Sequence, residues 1–473
     1  MPKHFLRRLA LACLACLAIR AQASLPDPIT RAVREAGLPA DAVSLWVGPA
    51  SGGEPSLQHN PRQLMNPASV MKLITSYAAL DQFGPAWTWK TDAYLRGQLI
   101  DGVLDGDLVI VGSGDPALTW DRLGQWLRDW RTRGLREIRG NIVIDSGLFA
   151  QAPLNAPFDE AQHRAYNAQP DAFLINFGAL SLRLNPGVAN APVEASVLTP
   201  AAPLRIVNHL KSMPGACGDW RSGLRGTFVP EGNGKTAGLV LTLEGRLAGS
   251  CGERQLNLKI DDSLRWAGLV IRAQWQEIGG SWAGEVVRGN ATAPLTAFSS
   301  WESPSLPEVL RDMNKWSNNV MARQIFLALG ADGAAQSSEK SITRLQAWMP
   351  AQGLDATQWI FENGSGLSRI ERTTAAQLGT LLRTAWHSPR MPEYVMGLPV
   401  IGRDGTMRAR LVDTPMAGRG YVKTGTLDGV KSAAGYVLDA KGEWQAFAVI
   451  LNHPRAPAAE TVVDAVLRWI YGL

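Results

Sequence analysis

The sequence contains few of the residues that most often mark a hydrolytic active site. Its 473 residues include four cysteines and six histidines, and no histidine lies in an H-E-x-x-H zinc motif or in a recognisable catalytic triad. A G-x-S-x-G elbow is also absent, which disfavours an α/β-hydrolase. No repeat of fixed period occurs. Any enzymatic chemistry is therefore expected to depend on other residue types.

The excess of positive charge is small once its distribution is considered. The formal net charge is +5, but four of the 47 basic residues lie within residues 1–23, which contain no acid. The rest of the chain carries a net charge of +1, which gives no reason to expect nucleic acid or an anionic membrane surface as partner. The length exceeds what one hydrophobic core usually holds, so we expect at least two domains.

Residues 1–23 have the three parts of a secretory signal peptide. A basic start precedes an apolar run over residues 9–19, and Ala21-Gln-Ala23 is an A-x-A cleavage site. The run is shorter than the roughly 20 residues that a membrane span needs, and no later segment is apolar for long enough. We therefore expect cleavage after Ala23, a periplasmic protein, and no stable membrane span after cleavage.

Two cysteines, Cys217 and Cys251, remain after removal of the leader. Lone cysteines usually pair in an oxidising compartment, so we predict a Cys217–Cys251 disulfide. Neither cysteine has a neighbouring histidine, which disfavours a cysteine nucleophile or a zinc site.

The two ends of the chain differ from its middle in their predicted secondary structure. Both ends combine alternating strands with helices, and a dense apolar stretch over residues 69–80 predicts a buried helix. Residues 91–289 contain short candidate strands, one of them over residues 98–104, with frequent glycine and proline breaks. We predict one domain from residues 24–90 and 290–473, and an inserted β-rich region over residues 91–289. This region is expected to form two sub-domains, with the cysteine pair in the inner one.

The first of three short motifs is S-x-x-K, Ser69-Val-Met-Lys72, at the start of the predicted buried helix. The i, i+3 spacing places both side chains on one helix face. The chain also contains a chance copy, Ser337-Ser-Glu-Lys340. Because no apolar run follows that copy, we assign it to the solvated surface.

The other two motifs are S-x-N, Ser317-Asn-Asn319, and K-T-G, Lys423-Thr-Gly425. Alone, the former is typical of a polar turn between helices, and the latter of a lysine that protects the edge of a sheet. In the order S-x-x-K, S-x-N and K-T-G, however, the three motifs together resemble those of penicillin-binding proteins and serine β-lactamases.

The spacing of the motifs narrows this resemblance. Ser69 and Ser317 are separated by 248 residues, and so large an insertion resembles the class C low-molecular-mass penicillin-binding proteins, which are D-alanyl-D-alanine carboxypeptidases/endopeptidases. Four further stretches are similar to that family: Asn66–Leu73, Gly112–Pro116, Tyr166-Asn-Ala168 and Gly364–Arg369. The resemblance implies an α/β (α+β) transpeptidase-like domain, in which helices flank an antiparallel sheet, with a large insertion.

The residues themselves support a serine nucleophile with a lysine base. A serine hydroxyl needs a positioned base, and a lysine must lose its proton to serve as one. At a reference pKa of about 10.4, holding lysine neutral at pH 7 costs about 4.6 kcal/mol in water. Burial and a second cation reduce that cost. We therefore expect Ser69 to be the nucleophile and Lys72, facing Lys423 across a cleft, to be its base.

The remaining roles are those that the resemblance implies. Ser317 would relay a proton to the leaving amine, while Asn319 would hold the substrate amide and Lys72. Lys423 would bind the terminal carboxylate of the substrate together with Thr424 and Thr426, and the backbone N–H groups of Ser69 and Thr426 would form the oxyanion hole. Three further substrate contacts are expected. The substrate backbone would approach Gly425 closely, Arg369 would bind a carboxylate of the stem peptide, and Asp145 would bind an amino group of the stem peptide. For the last two, a surface or interdomain ion pair is the competing interpretation.

The resemblance also implies the partners. These are peptidoglycan stem peptides and cross-links as substrates and β-lactam antibiotics as covalent inhibitors, with no metal and no cofactor. A homodimer is left open. Two other functions also stay open: a serine β-lactamase, which would need a base for rapid deacylation, and a peptidoglycan-binding module without turnover. One departure from the family is Asn363, where many relatives carry an acidic residue before Gly-Ser-Gly-Leu-Ser.

Overall fold

A computed structural model describes residues 25–150, 158–159, 161 and 163–472. The predicted signal peptide and its cleavage site lie outside the described residues. Within the described ranges, no helix has the length and apolar character that a membrane crossing needs.

The first described elements end in a buried helix. They are α1 (Asp27–Glu35), β1 (Val43–Pro49), β2 (Leu57–His59) and α2 (Lys72–Phe83). A 3-10 turn over Ala68–Met71 leads directly into α2, and the first nine residues of α2 are all buried. A helix that is apolar on every side is stable only when it is covered on every side. The predicted buried helix is therefore present, with its first turn wound as 3-10.

The elements between residues 90 and 302 follow in chain order. They are β3 (Lys90–Ile100), β4 (Val103–Val111), α3 (Trp120–Thr132), β5 (Glu137–Ile138), β6 (Ile142–Asp145), β7 (Ala179–Asn185), β8 (Glu194–Val197), β9 (Leu204–Asn208), β10 (Lys211–Met213), β11 (Leu224–Glu231), β12 (Gly238–Ala248), β13 (Arg254–Lys259), α4 (Ser263–Glu277), β14 (Ser281–Trp282), β15 (Val286–Arg288) and β16 (Thr296–Glu302).

The last part of the chain contains helices and three strands that join the sheet of β1 and β2. The remaining elements are α5 (Leu306–Lys315), α6 (Asn319–Leu329), α7 (Ser338–Trp348), α8 (Ala375–His387), α9 (Met391–Met396), β17 (Gly420–Leu427), β18 (Val430–Leu438), β19 (Trp444–Asn452) and α10 (Glu460–Tyr471).

The two ends of the chain share one antiparallel sheet with the strand order β17-β18-β19-β1-β2. Alternate residues of its strands face opposite sides, as the period of two requires. In β19, Ala446, Ala448 and Ile450 join the core beneath α2 and α8, and the residues between them join the core beneath α1 and α10. The sheet is therefore covered by helices on both faces, and the predicted fold class is confirmed.

The strands from β3 to β16 form three sheets. A seven-stranded mixed sheet includes β3, β4 and β16, a four-stranded sheet includes β11 and β12, and a three-stranded sheet has the order β13-β7-β8. Their buried apolar residues form one continuous cluster, so the division into two sub-domains stays a prediction. Strand β16 pairs with β3. Because this pairing continues past residue 289, where the sequence placed the end of the insertion, we propose an inserted region that extends to Glu302.

One predicted strand of the insertion was wrong. The sequence indicated a strand over residues 98–104, but β3 and β4 form a hairpin whose turn lies at Asp101 and Gly102, both with positive φ. The apolar residues on either side of Asp-Gly resemble one strand, although that dipeptide favours a tight hairpin turn.

Cys217 and Cys251, which are 34 residues apart, form the predicted disulfide. Closing a loop of this length is worth about 4 kcal/mol on the chain-entropy model. We therefore expect the Cys217→Ser/Cys251→Ser variant to lose about 4 kcal/mol of unfolding free energy, measured by urea denaturation against the oxidised wild type. An unchanged urea midpoint would contradict this expectation.

Candidate active site

Ser69 lies in the 3-10 turn before α2, and two asparagines hold this turn in place. Asn66 accepts a hydrogen bond from the Ala68 N–H at 2.8 Å, and its own N–H donates to Asn452 at the end of β19 at 2.7 Å. Ala68 has a positive φ of 45°, which is uncommon outside glycine. The turn therefore keeps Ser69 partly exposed although its neighbours Ala68 and Val70 are buried.

Lys72 begins α2, and its side chain is fully buried. Its Nζ lies 3.0 Å from Ser69 Oγ, 2.6 Å from Asn319 Oδ1 and 2.5 Å from the Ser365 carbonyl oxygen. The two carbonyl-type oxygens can only accept hydrogen bonds, whereas a serine hydroxyl can also donate one. A neutral amine has two N–H groups and one lone pair, so this arrangement directs the lone pair at the Ser69 hydroxyl.

The electrostatic surroundings of Lys72 favour that neutral amine. Burial is the main reason why its pKa lies well below the ordinary value, and the positive charge of Lys423 lowers it further. Arg323 acts in the same direction, while Glu371 raises the pKa of Lys72. The lowered pKa favours the amine without its proton, and that is the form that can accept a proton from a hydroxyl.

The S-x-N motif lies at the break between α5 and α6. Ser317 has a left-handed backbone with φ of 55°, and the Asn318 side chain caps α6 by accepting from the N–H groups of Val320 and Met321. The cap fixes the start of α6, and so places Asn319 opposite Lys72. The motif that resembles an ordinary polar turn therefore places Asn319 against Lys72 and Ser317 against Lys423.

Lys423 is fully buried on β17. Its Nζ donates to Ser317 Oγ at 2.9 Å and to the Thr424 carbonyl at 2.7 Å. Burial lowers the pKa of Lys423 to about 7. The competing interpretation of this lysine, protection of a sheet edge, does not fit a side chain that is shielded from solvent on an edge strand.

The two residues after Thr424 lie beside the Ser69 turn. A Cβ on Gly425 would lie 2.9 Å from Ser69 N and 2.8 Å from the Pro67 carbonyl oxygen. The close approach that requires glycine here is thus made by the protein's own Ser69 turn, whereas the sequence suggested substrate backbone. Thr426 is exposed at the same end of β17, and Thr424 Oγ1 donates to Thr406 Oγ1 at 2.8 Å.

Two further predicted residues lie outside this cluster of side-chain contacts. Arg369 is exposed, donates to the Asp428 carbonyl at 3.3 Å, and lies over the Phe158 ring at 4.5 Å. Asp145 ends β6 in the inserted region, where its carboxylate accepts from the backbone N–H groups of Gly147 and Ala291. Neither side chain forms an ion pair among the described residues. The alternative interpretation of Arg369 and Asp145, a surface or interdomain ion pair, is therefore not supported either.

Sequence reasoning missed two residues next to the cluster. Thr406 reaches Thr424 from a loop distant in sequence. Glu371 is completely buried, and its carboxylate accepts four backbone N–H groups of residues 362–366. Neither belongs to a motif, and an isolated threonine or glutamate in a polar loop carries no signal of its own.

The chance copy of S-x-x-K has a different environment. Ser337 caps α7 by accepting from the Lys340 N–H, and Lys340 pairs with Asp332 at 2.9 Å on the surface. The copy therefore has a structural role, as its polar surroundings indicated. In the described part of the chain, no group of three histidine, cysteine or acidic side chains could hold a metal ion.

Comparison with known proteins gives matches over nearly the whole chain. The sequence model of the D-Ala-D-Ala carboxypeptidase 3 (S13) family matches residues 27–471. A D-alanyl-D-alanine carboxypeptidase of Actinomadura sp. (strain R39) is 26% identical over 442 residues, which cover 89% of this chain and 79% of that protein.

Solved structures share the fold. Penicillin binding protein 4 of Haemophilus influenzae superposes with a TM-score of 0.75 at 21% identity, over 95% of this chain and all of that one. Its complex with a β-lactam has a TM-score of 0.69 at 22% identity, covering 90% and 96% of the two chains. A predatory endopeptidase of Bdellovibrio bacteriovorus has a TM-score of 0.55 at 17% identity, covering 90% and 93%.

Proposed function

Because the chain belongs to the D-Ala-D-Ala carboxypeptidase 3 (S13) family, we propose that it is an exported serine D-Ala-D-Ala carboxypeptidase and D,D-endopeptidase. Its substrates would be peptidoglycan stem peptides and cross-links, and β-lactams would acylate Ser69. The observation that carries the proposal is the pairing of Ser69 with Lys72 and of Ser317 with Lys423, with Lys423 close enough to act on the charge of Lys72.

In the proposed reaction, Ser69 Oγ attacks the carbonyl carbon of the peptide bond before the terminal D-alanine. Its proton passes to Lys72 Nζ as the new C–O bond forms. The C–N bond then breaks, and the proton reaches the leaving amine through Ser317, whose Oγ lies 2.9 Å from Lys423 Nζ. Water finally splits the acyl ester, which returns a proton to Ser69 and releases the shortened peptide.

The surroundings of Lys72 support its role as base in both half-reactions. Asn319 and Ser365 accept its two N–H groups in the neutral state, so the lone pair stays directed at Oγ. A preorganised base avoids reorganisation during the reaction. The protonated Lys423 would supply the positive charge that a terminal carboxylate of the substrate needs, with Thr424 and Thr426 beside it.

A serine β-lactamase is the second candidate, and Glu371 argues against it. Rapid deacylation requires a carboxylate or another base that can hold a water molecule in the cleft. Glu371 is the anion that acts on Lys72, but it is shielded from solvent and bonded to four backbone N–H groups. It is therefore not available to activate water, and we expect β-lactam acyl groups to be released slowly.

The proposal is tested with the purified mature protein, a stem pentapeptide and intact sacculi. We expect release of D-alanine from the pentapeptide, loss of cross-linked muropeptides, and stable covalent labelling by a fluorescent penicillin. Rapid penicillin turnover would instead identify a β-lactamase, and labelling without peptide cleavage would identify a binding module. N-terminal sequencing of the periplasmic protein should begin at Ser24.

The lowered pKa of Lys423, about 7, predicts a pH dependence. Above pH 7 this lysine loses its proton in the free enzyme, so kcat/KM for D-alanine release should fall about tenfold per pH unit. A bound carboxylate favours the charged form, so kcat should hold to higher pH than kcat/KM. Both profiles are measured with the pentapeptide. A Lys423→Arg variant keeps its charge, and an alkaline limb that does not move in this variant would contradict the assignment.

A further inference from the structure

Residues 362–366, which we call the carboxylate loop, surround the side chain of Glu371. Glu371 Oε1 accepts from the N–H groups of residues 362, 363 and 364 at 3.1, 2.9 and 2.8 Å, and Oε2 accepts from Gly366 at 2.9 Å. Within the described residues this carboxylate forms no ion pair. Burial raises the pKa of Glu371, and these four N–H groups act against that rise. Four donors facing two oxygens match an ionised carboxylate, because a protonated acid would direct its own hydrogen toward a donor.

The carbonyl groups of the same loop point the other way, toward α2. The Gly364 carbonyl accepts from Thr75 Oγ1 at 2.7 Å, and the Ser365 carbonyl accepts from Lys72 Nζ at 2.5 Å. Gly366 also packs against the Ser69 turn, since a Cβ there would lie 1.9 Å from the Ala68 carbonyl oxygen. The loop thus connects Glu371 on one side with the Ser69–Lys72 pair on the other.

On this basis, and resting on the proposed function, we propose that Glu371 is a positioning residue for acylation. Its buried carboxylate gathers the N–H groups of the carboxylate loop, so that the Ser365 carbonyl takes one N–H of Lys72 and leaves the amine lone pair on Ser69. Its negative charge also acts on that amine. Asn363 contributes to the same loop, because its side chain accepts from Ser365 N–H and Oγ and donates to the Leu367 carbonyl.

The charged groups around Lys72 determine how this role can be measured. Lys423 faces it from β17, Arg323 from α6 and Glu371 from the segment that follows the carboxylate loop. Arg323 also faces Glu371 and Glu362. Of the three charges that act on Lys72, Glu371 is the one anion, and it raises the pKa of Lys72. Removal of that charge lowers the pKa of Lys72, so the neutral amine persists to lower pH.

The test compares two variants that separate charge from shape. Glu371→Gln keeps the size but loses the charge and places an NH₂ group against backbone donors. We expect penicillin acylation to slow about 100-fold, with the acidic limb of its pH profile moved to lower pH because the anion that raises the pKa of Lys72 is gone. Glu371→Asp keeps the charge but shortens the reach, so acylation should slow while the acidic limb stays at the wild-type pH.

Asp439→Asn is the matched control. Asp439 is also a buried carboxylate that accepts backbone N–H groups, those of Lys441 and Glu443, in the turn between β18 and β19. Ser432, at the other end of β18, donates to the Pro67 carbonyl just before the Ser69 turn. Asp439 is seven residues further along the chain, which places it roughly 20 Å from that end of the strand. We expect this variant to lose stability by thermal denaturation without a change in the acylation rate or its pH limb.

The outcomes separate this inference from the proposed function. If the wild type is not labelled by penicillin, the proposed function itself fails. If the wild type is labelled and folded Glu371→Gln matches it in rate and pH limb, Glu371 has no positioning role. Should Glu371→Gln not fold, Glu371→Asp decides: slowed acylation with an unmoved limb supports the role, and wild-type acylation overturns it.

Discussion

Replacement of Ser69 by alanine is expected to abolish covalent labelling by penicillin and to slow D-alanine release by about 10⁵-fold or more. Removal of a nucleophile costs about this much in serine hydrolases, because no acyl-enzyme can form. Ser69 is partly exposed in its turn while the side chains around it are buried, so the loss of one oxygen should leave the fold intact. Intact-protein mass spectrometry after incubation with penicillin measures the adduct directly.

The chain supplies a matched control for this variant. Ser337 occupies the same position of a second S-x-x-K sequence and caps α7 on the surface. Ser337→Ala should lose about 1 kcal/mol of stability through the lost cap but should keep full labelling and peptide cleavage. A penicillin adduct on the Ser69→Ala protein would show that another residue is the nucleophile.

Replacement of Lys72 by methionine is expected to slow acylation of Ser69 by at least about 10³-fold. The methionine has similar length but no nitrogen to take the hydroxyl proton, and a positioned base contributes about 10²- to 10⁴-fold. Slow labelling should remain, since the serine is still present. Stopped-flow measurement of the second-order acylation rate gives the loss, and thermal denaturation reports whether the unpaired acceptors Asn319 and Ser365 destabilise the fold.

Lys340→Met is the corresponding control, because Lys340 pairs with Asp332 at the surface. Exposed ion pairs contribute roughly 0–1 kcal/mol, so this variant should keep the wild-type acylation rate and nearly wild-type stability. A Lys72→Met protein that acylates as fast as the Lys340→Met protein would exclude Lys72 as the base.

The predicted elements near the site depended on local signals that the sequence carries. The apolar stretch after Ser69 indicated a buried helix, and every face of α2 is covered. The strands indicated at both ends of the chain are also present, and they form one sheet. The end of the proposed insertion was harder to predict from the sequence. The proposal that the insertion includes β16 depends on the hydrogen bonds of this strand to β3, some 200 residues earlier in the chain. Pairing over such a distance cannot be recognised from the local sequence.

The sequence by itself determined the family resemblance, the order of the three motifs and the cysteine pair, because motif chemistry and cysteine count are properties of residue type and spacing. Tertiary structure alone decided that Lys72 and Lys423 lose all contact with solvent. It also decided which oxygens accept from the Lys72 amine. It further decided that Glu371 binds the backbone N–H groups of the loop that contains one of them. The physical reason is that the pKa of a side chain and the direction of its lone pair depend on burial and on neighbouring groups. Folding brings these neighbours together from positions nearly 300 residues apart in the chain.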